Sequence, residues 1–292
     1  MIRTEERTSI HHACAVLEMS RSQYYRKVKQ MRDYRARVRH EPCGTDSLSE
    51  RAEALARQYV QYGHRKIHAL LLREGVRVSR YKVYMLLKRK HLLLPSTWRK
   101  TLRERARALK QYLVKPTRPL ELLQADITHV PIEGYGTYYV INVIDYYSKY
   151  VLASVFADRQ GTDVLIEACE QARREAERLG LEQPENIKVL TDNGPAMISR
   201  RFRRYIDDSP FRHLRTKSHH PETNGCIERY HQTLKYEEVW GAMYENPMIA
   251  KERIERFRQF YNTERIHQAL GYRTPHEVIC EAKEKITYSG VA

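Results

Sequence analysis

Two periodicities divide the chain, and they change over near Pro116 and Pro119. Ahead of that point apolar residues recur at helical spacing; behind it, short runs of β-branched and aromatic residues alternate with helical stretches. Residues 10–17 carry the helical pattern, Met19 and Ser20 interrupt it, and Ser20-Arg21-Ser22-Gln23 has capping-box spacing ahead of Tyr24-Tyr25-Arg26-Lys27-Val28. This predicts a helix-turn-helix module over 1–40. The polar stretch 41–46, with Pro42 and Gly44, reads as a linker. A second helical module is expected over 47–95. Its first helix starts at Ser47 with Glu50 three residues on, and its second, near 65–73, stops at Gly75. Its third is capped by Ser79 and buries Val83, Leu86 and Leu87, leaving Lys82, Lys88, Arg89 and Lys90 outside. Residues 96–116, with Leu102, Ala106, Leu109 and Leu113 at helical spacing, predict a basic helical linker.

Beyond Pro119, residues 120–130, 137–144 and 150–156 are separated by Gly134-Tyr135-Gly136 and by a turn at Asp145, so they read as an antiparallel three-stranded meander. Residues 162–179 form an amphipathic helix ended by Gly180, 187–190 a short buried strand, and 199–206 a helix; another helix follows Gly225. A meander followed by alternating helix and strand predicts a mixed α/β core over 117–240. Residues 241–292 read as a C-terminal helical extension, with Ile254, Phe257, Phe260 and Tyr261 on one side of a helix over 250–261.

The net charge of +16 becomes informative when it is divided. Residues 1–116 hold 28 Lys/Arg against 10 Asp/Glu, or +18, whereas residues 117–292 hold 24 against 26, or −2. A positive region of that density is the electrostatic footprint of nucleic-acid binding. The second helix of the first module would offer Arg21, Ser22, Gln23 and Arg26 to a DNA groove, with Lys82 and Lys88 as further DNA contacts. Cys14, Cys43, Cys169, Cys226 and Cys280 are odd in number and irregular in spacing, which argues against a disulfide framework or a structural zinc site. No apolar run approaches the ~20 residues a membrane span needs, and the opening segment has no apolar h-region. The expectation is a cytoplasmic protein acting at the nucleoid, with no membrane partner.

Three carboxylates are poorly explained by solubility. Asp126 lies in Leu123-Gln124-Ala125-Asp126-Ile127-Thr128, Asp192 in Leu190-Thr191-Asp192-Asn193-Gly194, and Glu228 in Asn224-Gly225-Cys226-Ile227-Glu228-Arg229. The first two are each expected at the end of an apolar, β-prone run, where a strand presents its last side chain at a rim. A charge further back costs several kcal/mol unless it is paired or metal-bound. Mg²⁺ takes oxygen ligands, commonly one or two carboxylates with water and phosphate oxygens. Two such ions about 4 Å apart activate an attacking oxygen and stabilise a leaving one. Three convergent carboxylates therefore predict metal-dependent chemistry on phosphodiesters. Lys235 follows Glu228 by two helical turns on nearly the same face, placed for a DNA phosphate. Asn193 and Gly194 read as shaping the turn beside Asp192, and His219 and His220 as loop residues.

With 35 residues between Asp192 and Glu228, the trio resembles the Asp, Asp, 35-residue gap, Glu signature of retroviral integrases and of OrfB-type insertion-sequence transposases. Tyr62-Gly63-His64-Arg65-Lys66-Ile67, Ile144-Asp145-Tyr146-Tyr147-Ser148-Lys149-Tyr150, His220-Pro221-Glu222-Thr223-Asn224-Gly225 and Tyr261-Asn262-Thr263-Glu264-Arg265-Ile266-His267 extend the resemblance over most of the chain. It implies a ribonuclease-H-like integrase core preceded by small all-α modules, and a transposase that binds terminal inverted repeats, cleaves 3′ ends and transfers them into DNA. It further implies that Asp126, Asp192 and Glu228 hold two Mg²⁺ ions, with Mn²⁺ able to substitute, and that at least a dimer assembles on double-stranded DNA. OrfB-type polypeptides are often made as a fusion to an upstream OrfA segment, a partner that the resemblance also brings in. Two other readings stay open: a ribonuclease-H-like nuclease without joining activity, and a non-catalytic DNA-binding regulator.

Overall fold

A computed structural model describes residues 20, 22, 23, 26, 47–94, 116–215 and 225–289. The expected helix over 10–17, Arg21, the linker at 41–46, the basic tract over 96–115 and His219 and His220 lie outside the described residues. The capping box expected at Ser20 forms: Gln23 N donates to Ser20 Oγ (3.2 Å) and Ser20 N donates to Gln23 Oε1 (3.1 Å). Ser22, Gln23 and Arg26 are helical and exposed.

The chain divides into two compact units, one within 14–102 and one that includes 103–292. In the first, α1 (Ser47–Gln58), α2 (His64–Arg73) and α3 (Arg80–Arg89) bury Leu55, Ile67, Leu71, Val83 and Leu87. Gly75, at φ +80, ends α2 in the left-handed region, and Ser79 Oγ accepts Lys82 N (3.2 Å) at the start of α3. Lys82, Lys88 and Arg89 are exposed as expected. Lys90 is not: its ammonium pairs with Oε2 of the buried Glu53 at 3.0 Å, while Arg57 holds Oε1 of the same carboxylate at 2.6 Å.

The second unit contains β1 (Leu122–Ile132), β2 (Gly136–Asp145), β3 (Val151–Ala157), α4 (Thr162–Arg178), β4 (Ile187–Thr191), α5 (Pro195–Ile198), α6 (Arg200–Asp207), β5 (Phe211–Arg215), α7 (Gly225–Glu237), α8 (Pro247–Thr263) and α9 (Pro275–Ser289). The strands form one sheet in the order β3-β2-β1-β4-β5. The first three make the expected antiparallel meander, while β4 and β5 run parallel to β1. This is the ribonuclease-H-like layout that the resemblance implies. Two short elements and one long one were not foreseen. Three of the five residues of β5 are Arg212, His213 and Arg215, so composition hides a strand; α5 is a single turn, and α9 begins at Pro275 within a stretch expected only as part of a helical extension.

Strand alternation decides what each face of the sheet carries. Odd-numbered residues of β1 and β2, including Leu123, Ala125, Ile141 and Val143, pack with Leu165, Ala168 and Ala172 of α4. The even-numbered ones, including Val130, Ile132, Val140 and Ile144, pack with Ile227, Tyr230 and Leu234 of α7 and Ile254, Phe257 and Tyr261 of α8. Asp126 belongs to this second face. It stands in the middle of β1 and not at its end, as expected from sequence, because the ladder with β2 continues past it to Ile132↔Gly136. Asp145, expected as a turn residue, is fully buried; its carboxylate accepts Leu120 N (3.0 Å), Ser148 N (2.7 Å) and Ser148 Oγ (2.5 Å).

The outer edge of β3 is closed by α8. Asn262 Oδ1 accepts Val151 N (2.8 Å), and Asn262 Nδ2 donates to Val151 O (3.0 Å), so one amide side chain replaces a neighbouring strand. Arg258 Nη1 donates to the same carbonyl at 3.1 Å. Asn262→Leu strands a buried N–H and weakens the bonding of the carbonyl, and is expected to cost about 2–4 kcal/mol, read as a lower urea midpoint at unchanged slope.

Candidate active site

Three elements far apart in sequence deliver the acids: Asp126 from the middle of β1, Asp192 from the residue after β4, and Glu228 from the first turn of α7. β1 and β4 are parallel neighbours, paired at Gln124↔Leu190, which sets the first two acids close together. Two buried polar links fix α7 over β1 and β2, one on each side of Glu228. Gln124 Oε1 accepts Ile227 N at 2.9 Å, and Asn142 Nδ2 donates to His231 Nε2 at 3.0 Å. Asp126, Asn142 and Ser154 are cross-strand partners in one row of the sheet, and Ser154 Oγ donates to Asn142 Oδ1. Because His231 Nε2 accepts, its Nδ1 carries the proton, and that nitrogen stands 3.5 Å from Asp126 Oδ2. Burial pushes the His231 pKa down to about 3, helped by the charges of Lys235 and His129, so the ring is neutral around pH 7.

Asp126 is strongly perturbed. Burial raises its pKa to about 7; the hydrogen bond from Ile127 N (2.8 Å) opposes this, the charges of Asp192 and Glu228 add to it, and Lys235 opposes it. The four groups therefore share one electrostatic site. Asp192 is exposed, and its Oδ1 accepts Gly194 N at 2.9 Å; a Cβ on Gly194 would stand 3.1 Å from that oxygen. This is the turn-shaping role expected of Gly194. Asp126 and Asp192 line a cleft of about 270 Å³ with His129, Gln160, Ala196 and Met197.

The donor set fits a hard divalent cation, since all three side chains are carboxylates and their mutual repulsion is what a cation relieves. The acids do not, however, close into the convergent cluster expected from sequence. Among the described residues no group of three or more Asp, Glu, His or Cys side chains is gathered tightly enough to hold a metal ion by itself. Like charges resist closer approach, and hard cations of this class draw further ligands from water and phosphate oxygens.

Of the other residues singled out in the sequence, Lys235 joins the site through its charge, while Ser22, Gln23, Arg26, Lys82 and Lys88 belong to segments before residue 116. Sequence reasoning missed Gln124, Asn142, Ser154 and His231. The available signal was an amide inside an apolar strand, in Leu122-Leu123-Gln124-Ala125 and again in Val140-Ile141-Asn142-Val143. No helix among the described residues is long and apolar enough to cross a membrane.

Two models described as integrase core domain match residues 116–221 and 210–275, and one described as an HTH-like domain matches residues 45–100. The transposase of insertion sequence element IS904 from Lactococcus lactis is 26% identical over 56% of this chain and 63% of its own length. A putative integrase of a Spiroplasma virus is 26% identical over 57% of this chain, which spans only 49% of that protein. The transposase of insertion sequence element IS629 from Shigella sonnei is 22% identical over 98% of this chain and 95% of its own length. Among solved structures, the HTLV-2 integrase catalytic core domain in complex with magnesium is similar at 17% identity over 56% of this chain and 98% of that one, with a TM-score of 0.42. A chain of the simian T-cell lymphotropic virus intasome is similar at 19% identity over 77% and 73%, with a TM-score of 0.46. With integrase-core matches running from 116 to 275 behind an HTH-like match over 45–100, the chain carries an integrase core and is similar, along nearly its full length, to transposases of insertion sequences.

Proposed function

We propose that this chain is a DNA transposase that binds the terminal inverted repeats of an insertion sequence, cleaves to expose 3′ ends and joins those ends to DNA. The observation that carries the reading is the Asp126 carboxyl held at about 7 by burial with Asp192 and Glu228 acting on it. A buried carboxyl that lines a cleft with Asp192 and also feels the charge of Glu228 is an electrostatic cost that a nucleic-acid enzyme with divalent ions turns to use. Two Mg²⁺ ions, or Mn²⁺ in their place, held by Asp126, Asp192 and Glu228 would supply the charge that activates an attacking hydroxyl and stabilises the departing oxygen.

The chain's own residues orient the reaction. His231 Nδ1–H faces Asp126 and, being neutral, adds no charge to repel a cation. Gln124 and Asn142 set the height of α7 and so the reach of Glu228. Lys235 is placed to hold a phosphate of the terminal DNA. In cleavage, water attacks phosphorus and the 3′-oxygen leaves as a hydroxyl; in joining, that hydroxyl attacks the phosphorus of a second phosphodiester, forming a new P–O bond while the 3′-oxygen of the attacked strand departs and takes up a proton. No side-chain nucleophile is required. The helical segments ahead of the core, with Arg21, Ser22, Gln23, Arg26, Lys82 and Lys88, bind double-stranded DNA, and pairing two ends takes at least two protomers.

A duplex with a labelled recessed 3′-hydroxyl end tests this directly. The wild-type chain with Mg²⁺ is expected to transfer the label into target DNA, and Asp192→Asn to lose cleavage and joining while keeping end binding within about twofold. Cleavage without joining would favour the nuclease reading, binding without cleavage the regulator reading, and a fully active Asp192→Asn would refute the mechanism.

A further inference from the structure

The near-neutral balance of residues 117–292 conceals a local excess. Residues 200–215 carry Arg200, Arg201, Arg203, Arg204, Arg212 and Arg215 against Asp207 and Asp208. All six arginines are exposed. Many of the other arginines on this unit are held by carboxylates, among them Arg159 by Asp163 at 2.5 Å, Arg173 by Glu177 at 2.6 Å, Arg178 by Glu175 at 2.8 Å and Arg256 by Glu252 at 2.9 Å, whereas the exposed Arg174 and Arg229 stand singly. None of the six on α6 and β5 has such a partner among the described residues.

Their placement is as informative as their number. Phe202 and Ile206 are buried beneath α6, so at 3.6 residues per turn Arg200 and Arg204 stand on the opposite side with Arg201 and Arg203 flanking them. Ser199 caps this helix by accepting Phe202 N at 3.1 Å, and it follows directly on α5, whose Ala196 and Met197 wall the cleft. β5 sets Arg215 beside Thr191, its partner in the parallel ladder with β4 and the residue before Asp192. His213 Nε2 lies 2.8 Å from Thr191 Oγ1, and its ring meets Phe202 edge-on at 5.2 Å. Burial first, and then the charges of Arg215 and Arg203, hold the His213 pKa low, so the helix and the strand project positive potential onto one spot.

We propose that the arginine face of α6 and β5 is a docking surface for the phosphate backbone of duplex DNA, holding the stretch that leaves the cleft past Asp192. The proposal rests on the function given above and adds a contact within the core to those of the helical segments that precede it. Guanidinium groups pair with phosphate through two parallel hydrogen bonds, and arginines without carboxylate partners need break no ion pair to do so. The face reads no sequence, since phosphate contacts position DNA without specifying bases.

The test uses the full chain and a fluorescently labelled duplex, titrated over a range of NaCl. The variant Arg200→Gln/Arg201→Gln/Arg203→Gln/Arg204→Gln is expected to bind at least about tenfold more weakly at 0.1 M salt, with the slope of log affinity against log salt shallower by about 2–4, close to 0.9 per lost phosphate contact. The same four positions changed to Lys keep the charge and are expected to restore most of the slope, which separates charge from folding. A Gln variant with wild-type affinity and slope, in a chain that does join DNA ends, overturns this inference alone. A wild-type chain that neither binds nor joins DNA overturns it together with the function beneath it.

Discussion

Asp126→Asn is expected to give a protein that melts higher at pH 8 and neither cuts nor joins DNA. A carboxyl whose pKa is about 7 in the fold and 3.8 when unfolded favours the unfolded chain once it ionises. The cost is small at about pH 4, where the folded carboxyl is protonated and the unfolded one about half ionised, grows as pH rises from 3.8 towards 7, and is complete above 7. Its ceiling is on the order of 4 kcal/mol, at about 1.4 kcal/mol for each tenfold change in proton affinity. Asparagine keeps the shape and removes the charge, so the stability gain is largest at pH 8 and small near pH 4. Activity is expected to fall at least about a thousandfold, because an amide is a poor ligand for a hard cation. Wild-type protein is expected to recover stability when Mg²⁺ is added, by mass action on the folded state, and Asp126→Asn to respond less. Scanning calorimetry at pH 4 and pH 8, with and without Mg²⁺, reads all of this. Equal melting temperatures of variant and wild type at pH 8 would contradict the electrostatic description of the site.

Arg265→Met is expected to be the most destabilising substitution in the C-terminal segment. Arg265 Nε and Nη2 donate to Glu237 Oε2 and Oε1 at 2.8 and 2.5 Å, and both side chains are close to fully buried. The pair ties the segment after α8 to the last residue of α7, two residues beyond Lys235. Removing one partner leaves a buried uncompensated charge, a loss of about 3–5 kcal/mol. Replacing both, as Arg265→Met/Glu237→Leu, is expected to recover most of it, since a buried ion pair is worth little more than an apolar pair of similar volume. Chemical denaturation of the two variants side by side decides the point. A double variant as unstable as the single one would mean that the pair is needed for more than charge compensation.

Much of this architecture was legible in the residues. The meander, α4, the Ser79 cap and the helix carrying Glu228 follow from periodicity and punctuation, because each is long or sharply bounded. Asp126 reads as the end of an apolar run even though residues 120–130 read as one strand; the ladder with β2, which continues to Ile132↔Gly136, sets it mid-strand. β5 escaped because its outward positions are basic, and with it the arginine face escaped, averaged away by acids elsewhere in residues 117–292. The motif Tyr261-Asn262-Thr263-Glu264-Arg265 gave a resemblance without a reason. The structure supplies one, as Asn262 closes the edge of β3 and Arg265 anchors the end of α7. The His231–Asn142–Ser154 row could not be read from spacing, since its members come from a helix and two strands whose register only the folded sheet defines.

The central claim is that Asp126, Asp192 and Glu228 act as one cation site on a DNA end. Anomalous diffraction from crystals of the chain grown with a DNA end and Mn²⁺ addresses it most directly. Two manganese peaks are expected, about 4 Å apart, within reach of the Asp126, Asp192 and Glu228 carboxylates and beside a phosphate of the DNA. Manganese bound elsewhere on the chain, with the three carboxylates turned away from the DNA, would contradict it.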